Sequence, residues 1–595
     1  MRRLSIALFV VFLLQSGCIF SPSGSDSPDA DSGDAAVNDV ADTETDATPD
    51  GDADESDACV PMTECAADQC GTVDDGCGGT LDCARECPCQ GGEPQQATCG
   101  ECGLGMLTCG EGEDGLGTCT RPPIPDGTAC EDIIYLDTRA ADGGDGSLEN
   151  PFATYEPARA AATSGQTIVI GGNTALASTI ELESGVSVIG GYEVFAGNEW
   201  VFNPEQKNAV QVPAADGDTF GVRAEGIDEP TWVYGLSVTT DDAVDGEAAN
   251  NYGFHVHDSV GLTVEFVDVA AGAGGDGADG ADGSGGTDGD DGGDATRGVY
   301  VWCDEASCTS FDTSGGPGGN NLDCMTAAGG DGGDGGQYND KSDTLTEPTD
   351  GENGADTIGG AGGLNETGER AGEPGESATD RTGQAADGSA NDPGGEVTAF
   401  GTWSPNGTGN DGDPGEDGSG GGGGGGAATN RPDSHYVGPG GGGGGAGGCG
   451  GEGGQGGEAG GGSFGLFLSN SSVTVARSQF SAAAGGRGGA GGGGGLGGEG
   501  GAGGNSTSKI FKDLEDTDES VSLNYASGAG GDGADGQDGG VGAGGAGGVS
   551  YGGYCHESTL EADEVDFIEG PSATGGASVG NPGPDGPAVA QEGCE

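Results

Sequence analysis

Large apolar residues fall in short clusters, and each cluster alternates or ends on glycine. Ile133-Ile134-Tyr135-Leu136-Asp137 predicts a strand. Thr154 is placed to cap a short helix, with Pro157 in its first turn and Ala158 to Ala162 continuing it. Thr167-Ile168-Val169-Ile170-Gly171 and Gly185-Val186-Ser187-Val188-Ile189-Gly190-Gly191-Tyr192 predict two more strands. Five later segments repeat one pattern: Gly221-Val222-Arg223-Ala224, Gly253-Phe254-His255-Val256, Gly298-Val299-Tyr300-Val301, Gly465-Leu466-Phe467-Leu468 and Gly552-Gly553-Tyr554-Cys555. In three of them a serine follows (Ser259, Ser471, Ser558), then an apolar pair: Leu262 and Val264, Val473 and Val475, Leu560 and Ala562. Val269, Phe311, Phe480 or Phe567 closes most units. A unit of about 20 residues cannot bury its own apolar face, but stacked units can, so the repeat predicts coils of a solenoid.

Between coils the chain turns to glycine, which supplies 138 of the 595 residues. From Gly277 the triplets read Gly-Ala-Asp, Gly-Ala-Asp, Gly-Ser-Gly, Gly-Thr-Asp, Gly-Asp-Asp and Gly-Gly-Asp. The run has no proline, which argues against collagen. Two readings stand. One chain folded back on itself could pack extended polyproline-II-like strands, with glycine at the crowded contacts. Alternatively the loops are disordered linkers, because glycine loses the most entropy on ordering. If the coils align, the loops leave from one corner and lie side by side.

The order of elements from Ile133 to Tyr192 resembles the N-terminal cap and first coils of pectin-lyase-like parallel β-helix proteins, particularly those of unassigned function. The resemblance covers about 132 to 270 and continues in pieces. It implies an all-β fold: a right-handed parallel β-helix over 132–595, with Gly-rich insertions at about 272–297, 315–462, 483–505 and 526–550 and a C-terminal tail.

Upstream, residues 59–131 hold twelve cysteines: Cys59, Cys65, Cys70, Cys77, Cys83, Cys87, Cys89, Cys99, Cys102, Cys109, Cys119 and Cys130. So many cysteines with so little apolar sequence predict a disulfide framework in place of a core; the alternative, a zinc site, rests on Cys99-Gly100-Glu101-Cys102 alone, without a second CxxC at suitable spacing. Cys303 and Cys308 flank a short turn and could bridge locally, while Cys324, Cys449, Cys555 and Cys594 could staple loops to coils. The segment from Cys70 through Gly76-Cys77-Gly78-Gly79 to Cys83 resembles a Cys-rich module of surface lipoproteins from myxobacteria and their relatives. That resemblance implies an exported setting and no activity.

Residues 19–58 read as an acidic, disordered tether. Before it, Arg2 and Arg3 precede an uncharged run from Leu4 to Leu14, matching residues 1–18 to a signal peptide. Gln15-Ser16-Gly17-Cys18 would make Cys18 the lipid-bearing N-terminus of the mature chain, although Gln15 stands where an aliphatic residue is usual; an ordinary secretory cut nearby is the alternative. Membrane contact would then be by lipid, at the outer membrane or cell surface.

A net charge of -84 disfavours nucleic acid as a partner. Candidate chemistry is sparse. His255 and His257 face one way on a predicted strand, but no third metal ligand is evident. The aligned coils place His255, Tyr300, Phe467 and Tyr554 in one outward column, with Trp302 two residues beyond Tyr300. Such a stripe could stack on sugar rings, or serve as a cross-strand ladder or a cover for the loops. Gly274-Gly275-Asp276-Gly277-Ala278-Asp279 and Gly530-Gly531-Asp532-Gly533-Ala534-Asp535 look like calcium-binding repeats, but Ala281 and Gln537 stand where the large apolar anchor belongs. Only weak Ca²⁺ association is expected, and no cofactor. Asp258, Asp268, Asp312, Arg223 and Arg477 carry acid and base chemistry, yet their spacing does not unite them, so no catalytic residue is assigned. The expectation is a surface protein with a structural, adhesive or ligand-binding role towards a polysaccharide or surface protein. The alternative is a polysaccharide-active lyase or hydrolase.

Overall fold

The computed structural model describes residues 129–594, apart from 196–198, 301–312, 340–343, 355–370, 382, 429–435 and 509–525, and five short strands between 72 and 120. The chain divides into units Met1–Pro61 and Met62–Glu595, and all described residues belong to the second. The signal segment with Cys18, the tether, Cys303, Cys308 and Trp302 lie outside the described residues, as do the side chains of Cys59 through Cys119. In the cysteine module, Thr72–Asp74 pairs antiparallel with Thr80–Asp82. Gly105–Thr108 pairs antiparallel with both Ala97–Cys99 and Thr118–Thr120. Cys130 is disulfide-bonded.

The rest is built on three sheets of parallel strands, with Glu199–Phe202 added antiparallel to Ser187–Phe195 in the first. The first stacks Ile133–Asp137, Thr167–Gly171, Ser187–Phe195, Thr231–Tyr234, Leu262–Glu265, Ser472–Ala476 and Thr559–Asp563. The second stacks Asn208–Val212, Leu236–Thr240, Asp268–Ala270, Gln479–Ser481 and Asp566–Ile568. The third stacks Ile180–Leu182, Thr219–Glu225, Asn251–His257, Ser463–Ser469, Ser550–His556 and Ala588–Glu592. From Ile180 onward the chain visits third, first and second sheet in unchanging rotation. Stacked parallel sheets of this kind are compatible with a parallel β-helix. Each strand turns alternate residues inward, so Val222, Phe254 and Leu466 meet Val264, Val475, Val238 and Phe480 in one core. Helix Tyr155–Ala161 starts after Thr154, which holds the N-cap position in extended geometry without a side-chain capping bond, and contributes Tyr155 and Ala158 to the core.

Short corners keep the rotation in phase. The turn from third to first sheet puts Gly226, Asp258, Asn470 and Glu557 at φ of 65, 50, 50 and 49°. The turn from first to second sheet does the same with Gly235, Phe266, Arg477 and Glu564. The repeated serines act just after the first of these corners. Ser259 Oγ donates to His257 O, Ser471 Oγ to Ser469 O, and Ser558 Oγ to His556 O. In return Ser259 N–H donates to Ser471 Oγ at 3.1 Å, and Ser471 N–H to Ser558 Oγ at 2.9 Å. Each hydroxyl thus closes its own turn and satisfies an amide of the coil before it. Ser471→Ala leaves the buried Ser259 N–H without an acceptor and should cost about 1–3 kcal/mol, read by chemical denaturation.

One predicted coil is not in the stack. Val299–Tyr300 pairs antiparallel with Tyr436–Val437, in a separate four-stranded sheet. A single excursion therefore runs from Ala270 to Ser463. All three long excursions leave after a second-sheet strand and return to a third-sheet strand, so they share one corner. Buried serines tie that neck. Ser463 Oγ donates to Gly272 O and accepts from Ala483 N–H; Ser550 Oγ donates to Ala483 O and accepts from Gly570 N–H.

Candidate functional site

Two features grow from that corner: an ordered glycine array and an aromatic face on the third sheet.

In the array, every third residue donates to a neighbouring run. Gly277, Gly280, Gly283, Gly286, Gly289 and Gly292 donate to the carbonyls of Arg487, Ala490, Gly493, Leu496, Glu499 and Ala502, each at 2.8 Å. The three-residue period and the absence of bonds within a run are those of a polyproline-II-like helix. Of the two readings of the glycine-rich sequence, the packed array is the one observed. Near residues 443–446 the central run bonds to six others, at Asp290, Gly319, Gly330, Gly421, Gly501 and Gly531. With neighbours on every side, every position must be glycine or nearly so. A Cβ on Gly443, Gly444 or Gly445 would lie 2.1, 2.0 or 1.9 Å from the carbonyl oxygen of Pro317, Gly421 or Gly501 respectively. The run 277–292 buries one face only, and there every third residue alone is forced. Its Gly280 and Gly286 would put a Cβ 2.1 and 2.0 Å from the carbonyls of Gln455 and Cys449.

The aspartates of the triplets have a structural task. Where a run lacks a neighbour, a carboxylate replaces the missing carbonyl. Asp276, Asp279, Asp282, Asp288, Asp291 and Asp294 accept from the amides of Arg487, Ala490, Gly493, Glu499, Ala502 and Asn505. Asp532, Asp535 and Asp538 do the same for Gly503, Gly500 and Gly497. Backbone hydrogen bonds worth about 1 kcal/mol each do not by themselves offset the roughly 1–2 kcal/mol of backbone entropy per residue. Close packing, the tied neck and the Cys324–Cys449 disulfide add to them. The second disulfide, Cys555–Cys594, fastens the tail to the last coil.

The aromatic face is larger than its sequence pattern. His255, Phe467 and Tyr554 are in register as expected, with Arg223 before them. Tyr300 does not join them. A second column, Phe220, Tyr252, Phe464 and Tyr551, stands beside the first. Strict alternation would have placed Tyr252 on the opposite side from His255. A stack of glycines between the columns, Gly221, Gly253, Gly465 and Gly552, breaks that alternation. A Cβ on Gly253 would meet Val269 Cγ1 at 2.3 Å, and one on Gly465 would meet Gly552 O at 2.5 Å. Local strand patterns carry no sign of this slip; the repeated glycine is its trace.

The face is covered. Antiparallel strands Gly395–Val397 and Trp403–Pro405 form a strap across it. Trp403 packs on Phe464, Tyr551 and Tyr554 with centroids at 5.8, 6.4 and 5.4 Å. Its N–H donates to Tyr252 Oη at 2.7 Å, and its carbonyl accepts from Asn250 Nδ2 at 2.8 Å. His255 and Phe467 have no exposure at all, and Tyr554 is half-buried. Burial drives the Tyr252 phenol well above its usual range and the Tyr551 phenol to about 12. His255 and His257 do not share a metal site: His255 Nε2 bonds to Gly401 O, whereas His257 Nδ1 bonds to Ser469 Oγ.

The acids and bases considered for catalysis remain apart. Arg223 pairs with Glu225 on the third sheet, Arg477 with Glu265, and Asp268 with Lys207 on the second. Asp258 sits at a corner, in contact with His257 and Asn470, and Asp312 lies outside the described residues. Among the described residues, Cys324, Asp417 and Cys449 are one cluster with metal-ligand atoms close together. Both its sulfurs are committed to the disulfide. An open polar depression beside the helix is lined by Arg159, Ser164, Glu183 and Ser184, and Arg159 is paired with Glu156 and Glu183. No helix among the described residues is long and apolar enough to cross a membrane.

No protein-family model, no curated protein and no solved structure matches this chain.

Proposed function

We propose that this protein is an exported, lipid-anchored surface scaffold whose parallel β-helix carries a rigid glycine array as an adhesive or ligand-binding body. The hand of the coils is taken as right-handed, because a strand returning to its own parallel sheet almost always does so that way. On this reading Cys18 bears the lipid and the acidic tether joins it to the disulfide module and the β-helix. The observation that carries the proposal is the array itself. Its runs are hydrogen-bonded laterally and rooted at one corner of the stack, and their edge amides are met by aspartates. A linker needs none of this order; a body that presents a fixed surface does. The dispersed, ion-paired acids and bases favour binding over turnover.

The test is binding and turnover by the full chain on purified polysaccharides, with and without Ca²⁺. Saturable binding without release of reducing or unsaturated ends is expected. Release of such ends would replace this reading with a lyase or hydrolase. Failure to bind any polysaccharide would turn the search to protein ligands.

A further inference from the structure

His255 is fully buried in the contact between the strap and the third sheet, beside the Tyr252 phenol that accepts from Trp403 N–H. Its ring stacks on Phe467 at 5.5 Å and meets Phe220 and Tyr252 edge-on at 5.2 and 5.1 Å. Nε2 lies 2.7 Å from Gly401 O. A carbonyl only accepts, so Nε2 carries the hydrogen, and in the neutral ring Nδ1 is a bare lone pair. That Nδ1 is buried and has no hydrogen-bond partner. Gly401 can approach this strand because it has no side chain: at φ +72°, a Cβ would lie 2.3 Å from Nδ1 of the neighbouring His257.

We propose that residues 395–405 are an acid-released latch, which holds the glycine array to the third sheet while His255 is neutral and lets go when it is protonated. A proton on Nδ1 places a charge among aromatic rings with no acceptor beside it. The charged groups around it offer little help. Arg223, its register partner on the preceding strand, opposes the charge, and so does His257 on its own strand; Glu225 favours it. The facing strand Ser463–Ser469 contains no acidic or basic side chain, and Glu396, the one charged residue of strap 395–405, is exposed. Burial outweighs the bond to Gly401 O and holds the imidazole at about 4. The folded value lies below the unfolded value of about 6.5. The contribution of the closed strap is therefore intact above the unfolded value and is lost as pH falls towards about 4. The strap is the wall that yields, because the other walls are strands held by the sheet ladder on both sides. The strap is fixed to this face by the bonds of Gly401 O and Trp403 and by the Trp403 ring. Release would bare Tyr252, Phe464, Phe467 and Tyr551.

The test is amide hydrogen exchange on the full chain at about pH 7 and about pH 4.5, corrected for intrinsic rates, in wild type and His255→Gln. Glutamine can donate to Gly401 O but does not titrate. Protection of Thr402 and Trp403 should fall roughly tenfold or more in wild type and stay level in His255→Gln, while residues 443–446 stay protected in both. An equal fall in both proteins, or none in wild type, overturns the latch. Should His255→Gln not fold, the wild-type ring-proton titration decides. A shared midpoint for ring and strap amides supports the latch, and separate midpoints overturn it.

Discussion

Gly492→Ala should destabilise the array by about 2–3 kcal/mol, whereas Gly493→Ala, one residue on, should be neutral or slightly stabilising. Both glycines lie in the same run and have similar sequence surroundings. The difference is what stands opposite. A Cβ at Gly492 would lie 2.0 Å from Ala281 O and 2.5 Å from its carbonyl carbon, both backbone. Nothing there can rotate away, so the run must move off the Ala281 run, straining the flanking bonds from Gly280 N–H to Ala490 O and from Gly283 N–H to Gly493 O. At Gly493 the added methyl meets only Asp282 Oδ1, at 3.3 Å, at the edge of the array. There an alanine reduces the freedom of the unfolded chain by an amount worth about 0.4–1 kcal/mol. Thermal unfolding of the pair is the measurement. Equal loss from both substitutions would mean that glycine is needed for backbone flexibility and not for close approach.

Loss of the Cys324–Cys449 disulfide should cost about 4–5 kcal/mol, more than loss of Cys555–Cys594. The first closes 125 residues and the second 39, and the entropy removed from the unfolded chain grows with loop length. The first bond also ties the segment at Cys324 to the central run of the array. Cys449 lies in the central run, and Asn321, close to Cys324, donates through Nδ2 to Thr287, Asp288 and Gly447 carbonyls. Cys324→Ser together with Cys449→Ser, followed by denaturant unfolding, tests the size. A spectroscopic probe in the array should respond before one in the coils.

Much of this was legible along the chain. The Gly-Val-Arg-Ala type segments gave the right register for four third-sheet strands, because a strand in a stack repeats its inward residue, its neighbour and its glycine at fixed places. The serines after those segments marked corners that need a hydroxyl to satisfy two coils at once. The triplets after Gly277 announced a period of three, and unbroken glycine near 440–445 belongs to the run with neighbours on all sides. Segment 298–301 shows the limit of such reading. Its letters match a coil, but a strand is defined by its partner, and Tyr300 found Tyr436 in an antiparallel pair.

By itself, the sequence determined the local periods: two along the strands, three along the glycine runs, and the recurring corner residues. These depend on backbone geometry and on neighbours a few residues away. The tertiary structure decided which faces are open. His255 and Phe467 looked like an outward stripe until the strap, whose Gly401 lies 146 residues from His255 in sequence, was laid over that face. The triplet aspartates carry no local mark of their partners, which are amides some 211 residues away in sequence. Whether a polar or aromatic group meets solvent or another part of the chain is a question of distant partners, and no local pattern contains the answer.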